Sequence, residues 1–522
     1  YEDGKVKKRN VLYIGKAEKV FERFSKPIPE DAELVTVSFG PAAALRWAFE
    51  DLELDILFTE LFDSEGGHDF PAWKKIYLLI WRRFFQNLSM REAVERYGKQ
   101  IFPFWWREDV TTVQRLYQFL GEEFGEEKVK EAQEELVRRA VAGDGVEGCC
   151  FDTTNYCTYV EDDTKYLRIG RSKEGVVGRR LVGLALALNN QGVPVFGEAY
   201  PGNRNDVDLF PGLFKGVCER LEAAGSDLEN ITLVFDRGFD GKDNFEMAWQ
   251  SPLNIVAAVK RNRKTVREVM DSLELEEFQK SYETSYGECY VYEGGKVDIG
   301  EHSWRVVLSY HDSTREKVRE KMDEQKQEAE GVLTESLDRL ERGGPGRPPT
   351  KNSVRKELEK VLGKRYHCLD WSLDPKAKNL DWRWTKEWDR KYELAGILPI
   401  ITDQDDWTAG RVAKTYFQRK DIEDMFHLTK KALIVPVEPP YVKEDHLIRA
   451  HLFLTFIGLL CYQHIKRKLP NTMTDDDIKS AMKELDMVIA TEDETLQFKL
   501  ANVNEETRPL LTSMNLEKYL PE

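Results

Sequence analysis

The chain's 522 residues are enough for two to four domains and a large buried core, and 41% hydrophobic with 33% charged residues describes an ordinary soluble polypeptide. That balance excludes an intrinsically disordered chain and one embedded in a membrane. A net charge of −16 works against phosphate binding by the molecule as a whole, so any nucleic-acid contact has to come from a locally basic groove on an acidic body.

From the beginning, GKVKKRNVLYIGK alternates between turn glycines and predicts a β-hairpin within residues 1–20. From about 40 to 142 the pattern is helical, through AWKKIYLLIWRRFFQ and SMREAVERYGKQ, with two further helices ending near Ala142. Ser89 followed by Glu92 is a capping-box start and makes a helix-turn-helix-like pair. Lys74, Lys75, Arg82, Arg83, Arg91 and Arg96 make this segment locally basic, either as a DNA contact or as a solvated helical face. At Cys149 the texture turns to strands: CCFDTTNYCTYV, RLVGLALALNN and VPVFGEAY, the last two joined by the turn Asn190-Gln191-Gly192. A helix over 208–224, the strand ITLVFD, a helix near 242–249 and the strand NIVAAVK follow. Three antiparallel strands and then alternating helix and strand give a mixed α/β sheet in the order of the ribonuclease-H-like fold.

Residues 262–400 read as an insertion. Strands ECYVYEGGKVDIG and SWRVVLSY precede a charged, solvated or coiled helix over 313–342, broken by GGPGRPP as a linker. LDWRWTKEW then sets Trp382 and Trp384 on one face of a strand. Strand GILPIIT leads into a helix at YFQRKDIEDMFHLTKK. After the loop PVEPP, HLIRAHLFLTFIGLLCYQHIKRKL is a long helix whose apolar run LFLTFIGLLCY is too short for a bilayer span and is predicted to be buried. The seven cysteines are odd in number and read as having neither a CxxC pair nor an adjacent metal-type histidine, which argues against a disulfide framework and a zinc site. Reduced thiols in a cytoplasm are expected, with no secretory signal visible and with Cys149, Cys150 and Cys157 as core packing.

The domains expected are a hairpin region at 1–40, a helical DNA-binding domain at 41–147, a catalytic core at 148–262 and 396–470, an insertion domain at 263–395 and a C-terminal helical tail at 471–522. Chemistry concentrates in the core. On one continuous helix, Tyr416, Arg419, Glu423 and Lys430 fall within about 60° of one another, while Phe417, Ile422, Met425, Phe426 and Leu428 take the flank and far side. A phenol, a guanidinium, a carboxylate and an ammonium on one stripe suit a phosphate and a metal. Asp152 lies in the first core strand and Asp236 ends ITLVFD just before the turn carrying Arg237; strand ends form the crevice of α/β sheets. Three carboxylates without histidine are hard oxygen ligands, suited to Mg2+ or Mn2+.

These residues resemble insertion-sequence transposases of the DDE class, in the branch whose last block reads Tyr-x2-Arg-x3-Glu-x6-Lys. Tyr416, Arg419, Glu423 and Lys430 fit that spacing throughout; FDTT around Asp152 is similar to the first-acid block and FDRGFDGKDNF around Asp236 to the second. GVPVFGEAYPGNRNDV, with Pro201-Gly202-Asn203, resembles the family's turn between strand and helix. The resemblance runs from about 148 to 470. It implies that Asp152, Asp236 and Glu423 ligate two Mg2+ ions, and that Arg419, Lys430 and Tyr416 contact DNA, with Arg237 a further contact. It also implies an insertion tryptophan stacked on a flipped base, with Trp382, Trp384, Trp388 and Trp407 as candidates beside the alternative of core packing. The implied protein is a cut-and-paste transposase acting as a homodimer on terminal inverted repeats and target DNA, through a hairpin intermediate, in the cytoplasm on DNA. The alternatives are a domesticated or inactive relative that binds DNA without cutting, and a metal-dependent nuclease on the same fold.

Overall fold

The computed structural model describes residues 33–62, 70–106, 111–141, 146–284, 287–342, 348–430, 434–437, 442–492 and 495–521. The hairpin expected over residues 1–20 and most of GGPGRPP lie outside them. The chain divides into two compact units, Tyr1–Leu233 with Gln418–Glu522, and Val234–Phe417. The division passes within the segment expected to be the catalytic core, so each part of that segment belongs to its own unit.

The first unit begins with β1 (Glu33–Ser38) and helices α1 (Gly40–Asp51), α2 (Leu54–Phe62), α3 (Ala72–Trp81), α4 (Met90–Tyr97), α5 (Phe102–Trp106), α6 (Val113–Glu122) and α7 (Glu126–Val141). Their interior is aromatic, with Phe58, Phe62, Tyr77, Tyr97 and Phe102 all at most 2% exposed and linked by edge and stacked ring contacts. The capping box of α4 forms as expected, Ser89 accepting from the Glu92 amide and Glu92 from the Ser89 amide. The basic residues behave otherwise. Lys74, Lys75 and Arg82 are buried: the Lys74 ammonium lies over the rings of Trp73 and Trp106, and Lys75 over Phe119. Ring faces hold the two lysines inside and the Leu88 carbonyl accepts from Arg82, so neither a DNA contact nor a solvated face describes these three. Arg91 stays exposed and pairs with Glu95 one turn on.

Strands β2 (Gly148–Thr158), β3 (Arg168–Arg171), β4 (Val177–Asn189) and β5 (Pro194–Pro201) follow, then α8 (Asp206–Ala223), capped by Asn205. β2 pairs antiparallel with β4 from Cys149↔Asn189 to Thr158↔Arg180. β3 and β5 share the opposite edge of β4 in succession. The short β3 was not anticipated, because Arg168–Arg171 is mostly exposed and lacks apolar alternation. Gly202 closes this junction: a Cβ there would lie 2.2 Å from the Leu181 carbonyl oxygen. β6 (Thr232–Phe235) straddles the division.

The second unit contains α9 (Lys242–Gln250), β7 (Asn254–Ala258), α10 (Lys264–Asp271), β8 (Gln279–Thr284), β9 (Gly287–Ile299), β10 (His302–His311), α11 (Asp312–Arg342) and α12 (Lys351–Leu362). It continues with β11 (Leu369–Asp374), β12 (Asn379–Trp384), α13 (Lys386–Glu393), β13 (Leu398–Thr402) and α14 (Ala409–Phe417). β7, β13, β10, β9 and β8 pair antiparallel in that order. The charged α11 is not wholly solvated; Met322, Ala329, Leu333 and Leu340 make a small core with α12, β12 and Trp388.

The chain then returns to the first unit with α15 (Lys420–Lys430), α16 (Asp445–Lys468), α17 (Asp475–Glu484), β14 (Asp486–Glu492), β15 (Thr495–Ala501) and α18 (Arg508–Met514). By length and composition α16 is apolar enough to cross a bilayer, but 83% of its apolar stretch is buried within the protein, as the sequence predicts. The C-terminal segment is not the helical tail expected: β14 pairs with β1 and β15 in an antiparallel three-stranded sheet. The alternation of Leu496, Phe498 and Leu500 carried that signal. All seven cysteines are free, and only Cys157 and Cys218 are not fully buried.

Candidate active site

In the first unit, Asp152 is a partly exposed position in an otherwise buried stretch of β2, opposite Leu186. The Thr153 amide donates to its Oδ1 at 2.7 Å. The Arg419 guanidinium donates through Nη1 to Asp152 Oδ2 at 2.9 Å and through Nη2 to Glu423 Oε1. One cation therefore holds two of the predicted acids. Arg419 and Asp152 side chains are only 13% and 16% exposed, against 55% for Glu423, so the Asp152 arm is the better shielded from solvent.

α15 is fixed to the sheet by its apolar side, Ile422, Met425, Phe426 and Leu428, and by a 2.8 Å contact between Thr429 Oγ1 and the Tyr156 hydroxyl on β2. That anchorage aims Glu423 and Arg419. Lys430 closes the helix with an ion pair to Glu174 Oε1 at 3.1 Å. Beside Asp152 lies a second polar group that the sequence reading passed over. Lys173 Nζ donates to the Thr153 carbonyl at 2.7 Å and to Asp206 Oδ2 at 3.2 Å, while Thr153 Oγ1 donates to Asp206 Oδ1 at 2.6 Å. Lys173 stands in GRSK, Asp206 in GNRND and Thr153 beside Asp152 in FDTT, stretches far apart in the chain. Burial pushes the Cys150 thiol up to about 12, consistent with plain packing.

The helix that carries this stripe is not continuous. α14 ends at Phe417, Gln418 and Arg419 form a turn, and α15 starts at Lys420. Tyr416 thus belongs to the second unit and the other three motif residues to the first.

In the second unit, Asp236 follows β6 and caps a short 3-10 turn, accepting from the Arg237 amide at 2.7 Å. The Tyr416 hydroxyl donates to the same Oδ1 at 3.1 Å. Tyr416 is 4% exposed, so its ring is a buried support whose polar tip reaches the carboxylate. Arg237 is exposed. Asp240, unnoticed in the sequence, is nearly inaccessible and accepts from the Lys260 amide at 2.7 Å and from Arg263. It fixes the basic loop Lys260–Arg263 that follows β7. Burial lowers the Arg261 pKa to about 10, and the charges of Arg237 and Arg365 act in the same direction.

The tryptophans divide by environment. Trp382 and Trp384 share a face, as predicted, and that face packs partly buried on the core of α11 and α12; the Trp384 indole N–H donates to Glu330 at 2.7 Å. Trp388 is 2% exposed. Trp407 lies in the loop after β13 with the Arg411 guanidinium 3.8 Å from its ring centroid.

No family model matches the chain, and no curated protein matches it. Among solved structures, a piggyBac transposase synaptic complex with hairpin DNA aligns over 87% of this chain and 82% of that chain, with 9% sequence identity and a TM-score of 0.38. That likeness lies below the level at which folds are equated, so the chemistry has to be argued from the side chains alone.

Proposed function

We propose that the chain is a DNA transposase of the DDE class, cutting and joining the ends of its element by metal-assisted phosphoryl transfer. The observation that carries this is the Arg419 guanidinium held by both Asp152 and Glu423, within a block that keeps the spacing of Tyr416, Arg419, Glu423 and Lys430. Two carboxylates converging on a cation, with oxygen the only donor, fit Mg2+ or Mn2+. Asp152, Asp236 and Glu423 would hold two such ions, which supply activation of a water or 3′-hydroxyl and stabilisation of the leaving oxygen. Arg419 exchanges its exposed bond to Glu423 for a DNA phosphate while keeping the shielded one to Asp152. Lys430 exchanges Glu174 for a second phosphate as a point charge. Tyr416 orients the Asp236 carboxylate, and Arg237 contacts the backbone beside it. Of the four candidate tryptophans, Trp407 is the one in a loop and best suited to a base, since Trp388 is buried and Trp382 and Trp384 cover the insertion core. The full reading is a cut-and-paste homodimer on terminal inverted repeats, passing through a hairpin.

The test uses DNA ends from the flanks of the protein's own gene, incubated with Mg2+ and either wild-type chain or Glu423→Gln, with products resolved on a denaturing gel. End-specific nicks, hairpins and joined products that vanish in the variant are expected. Hydrolysis without joining would assign a nuclease, and binding without cleavage a non-catalytic DNA-binding protein.

A further inference from the structure

A second cluster lies wholly in the second unit, where the 3-10 turn Gly363–Cys368 meets α13. His367, Cys368 and Glu387 each offer a ligand atom, and these atoms lie within 4.8 Å of one another. His367 directly precedes Cys368, an adjacent histidine that corrects the expectation of none beside a cysteine. The Thr385 amide and hydroxyl both donate to the Cys368 carbonyl, at 3.0 and 3.1 Å, which fixes the turn against the start of α13 before any ligand arrives.

The cluster already converges on a cation. Lys391 Nζ lies 2.7 Å from His367 Nε2 and 3.1 Å from Glu387 Oε1, and those two atoms are 3.0 Å apart. One nitrogen cannot accept from the ammonium and donate to the carboxylate at once. The consistent assignment is a neutral imidazole with its Nε2 lone pair and the carboxylate both turned to the positive charge. The hydrogen bond from the Lys391 ammonium holds the Glu387 carboxyl below its usual range, and burial raises the Cys368 thiol.

We propose that His367, Cys368 and Glu387 form a binding site for a divalent transition metal of the zinc class, with the Lys391 ammonium as its competitor. One nitrogen, one sulfur and one oxygen donor select a borderline-soft ion over magnesium. Three protein ligands leave a fourth position for water. Lys391 is 36% exposed, so its flexible stem can swing into solvent as metal enters and the Cys368 proton is released. The bound ion would tie α13 to the base of β11. The site is independent of the acids assigned to catalysis.

Titration of the full chain with Co2+, followed by near-ultraviolet absorption, tests this. A thiolate-to-cobalt charge-transfer band saturating at a single equivalent and bleached by Zn2+ is expected. Cys368→Ser should abolish the band with the circular dichroism spectrum unchanged, and the exposed-site variant His367→Gln should weaken it should the serine variant misfold. Lys391→Met should bind about tenfold more tightly, because a like charge leaves the site. No band in the wild-type chain, or a band that persists in Cys368→Ser or is unaffected in His367→Gln, overturns the proposal.

Discussion

Arg419 is the residue on which the first unit's polar geometry turns. Without it Asp152, whose side chain is 16% exposed, would lose the guanidinium from which its Oδ2 accepts. Arg419→Ala should therefore lower stability by about 1–3 kcal/mol in urea denaturation and abolish cleavage on the gel. Arg419→Lys should leave cleavage impaired, since one ammonium on a flexible stem does not span two carboxylates as a planar fork does. Asp236→Asn should remove all strand cleavage and leave end binding near wild-type in a mobility-shift assay; retained cleavage would withdraw Asp236 from the mechanism. Motif spacing singles out Asp152, Asp236 and Glu423 in the sequence, and of these the structure joins Asp152 and Glu423 through Arg419. Lys173, Asp206 and Asp240 were not legible there, because each is one charge among many until folding brings its partner within 3 Å or so, which no local pattern encodes.

At the scale of elements, local signals with a short-range cause held up. The α4 capping box, the Asn190-Gln191-Gly192 turn and the β2, β4 and β5 strands are set by neighbours in sequence. Where the reading failed, a longer-range force decided. Lys74 and Lys75 go inward because aromatic faces from other helices receive them, and the helix around Tyr416 breaks at Gln418 although its sequence has no Pro or Gly there. Gly202 joins the two cases, noted as part of a motif and explained by the β4 backbone against which it lies. Gly202→Ala places a methyl group against the Leu181 carbonyl, and should cost about 3 kcal/mol, read as a lower urea midpoint.

For the whole molecule, the acidic net charge of −16 says little about its response to pH, because specific buried groups dominate. His451 on α16 is buried, accepts from Arg83, and is held well below the ordinary histidine value by burial first and then by the Arg83 and Arg82 charges. The folded chain refuses a proton that the unfolded chain accepts below about pH 6.5. Stability is therefore present above that pH and lost as pH falls through it, at up to about 1.4 kcal/mol per pH unit from this group. His464, also lowered by burial, adds to the same slope. Melting temperature against pH should fall between 7 and 5, and His451→Gln, which keeps an acceptor for Arg83, should flatten the curve.

The distribution of thiols has a practical consequence. Cys149, Cys150 and Cys461 are sealed in one unit and Cys289 and Cys368 in the other, so a thiol-reactive probe can mark each of them only when its surroundings open. Pulse labelling followed by peptide mapping would then read two opening reactions from a single unmodified sample, each with its own rate. The chain carries, in residues that do nothing else in the proposed chemistry apart from Cys368, a built-in clock for the breathing of its two halves.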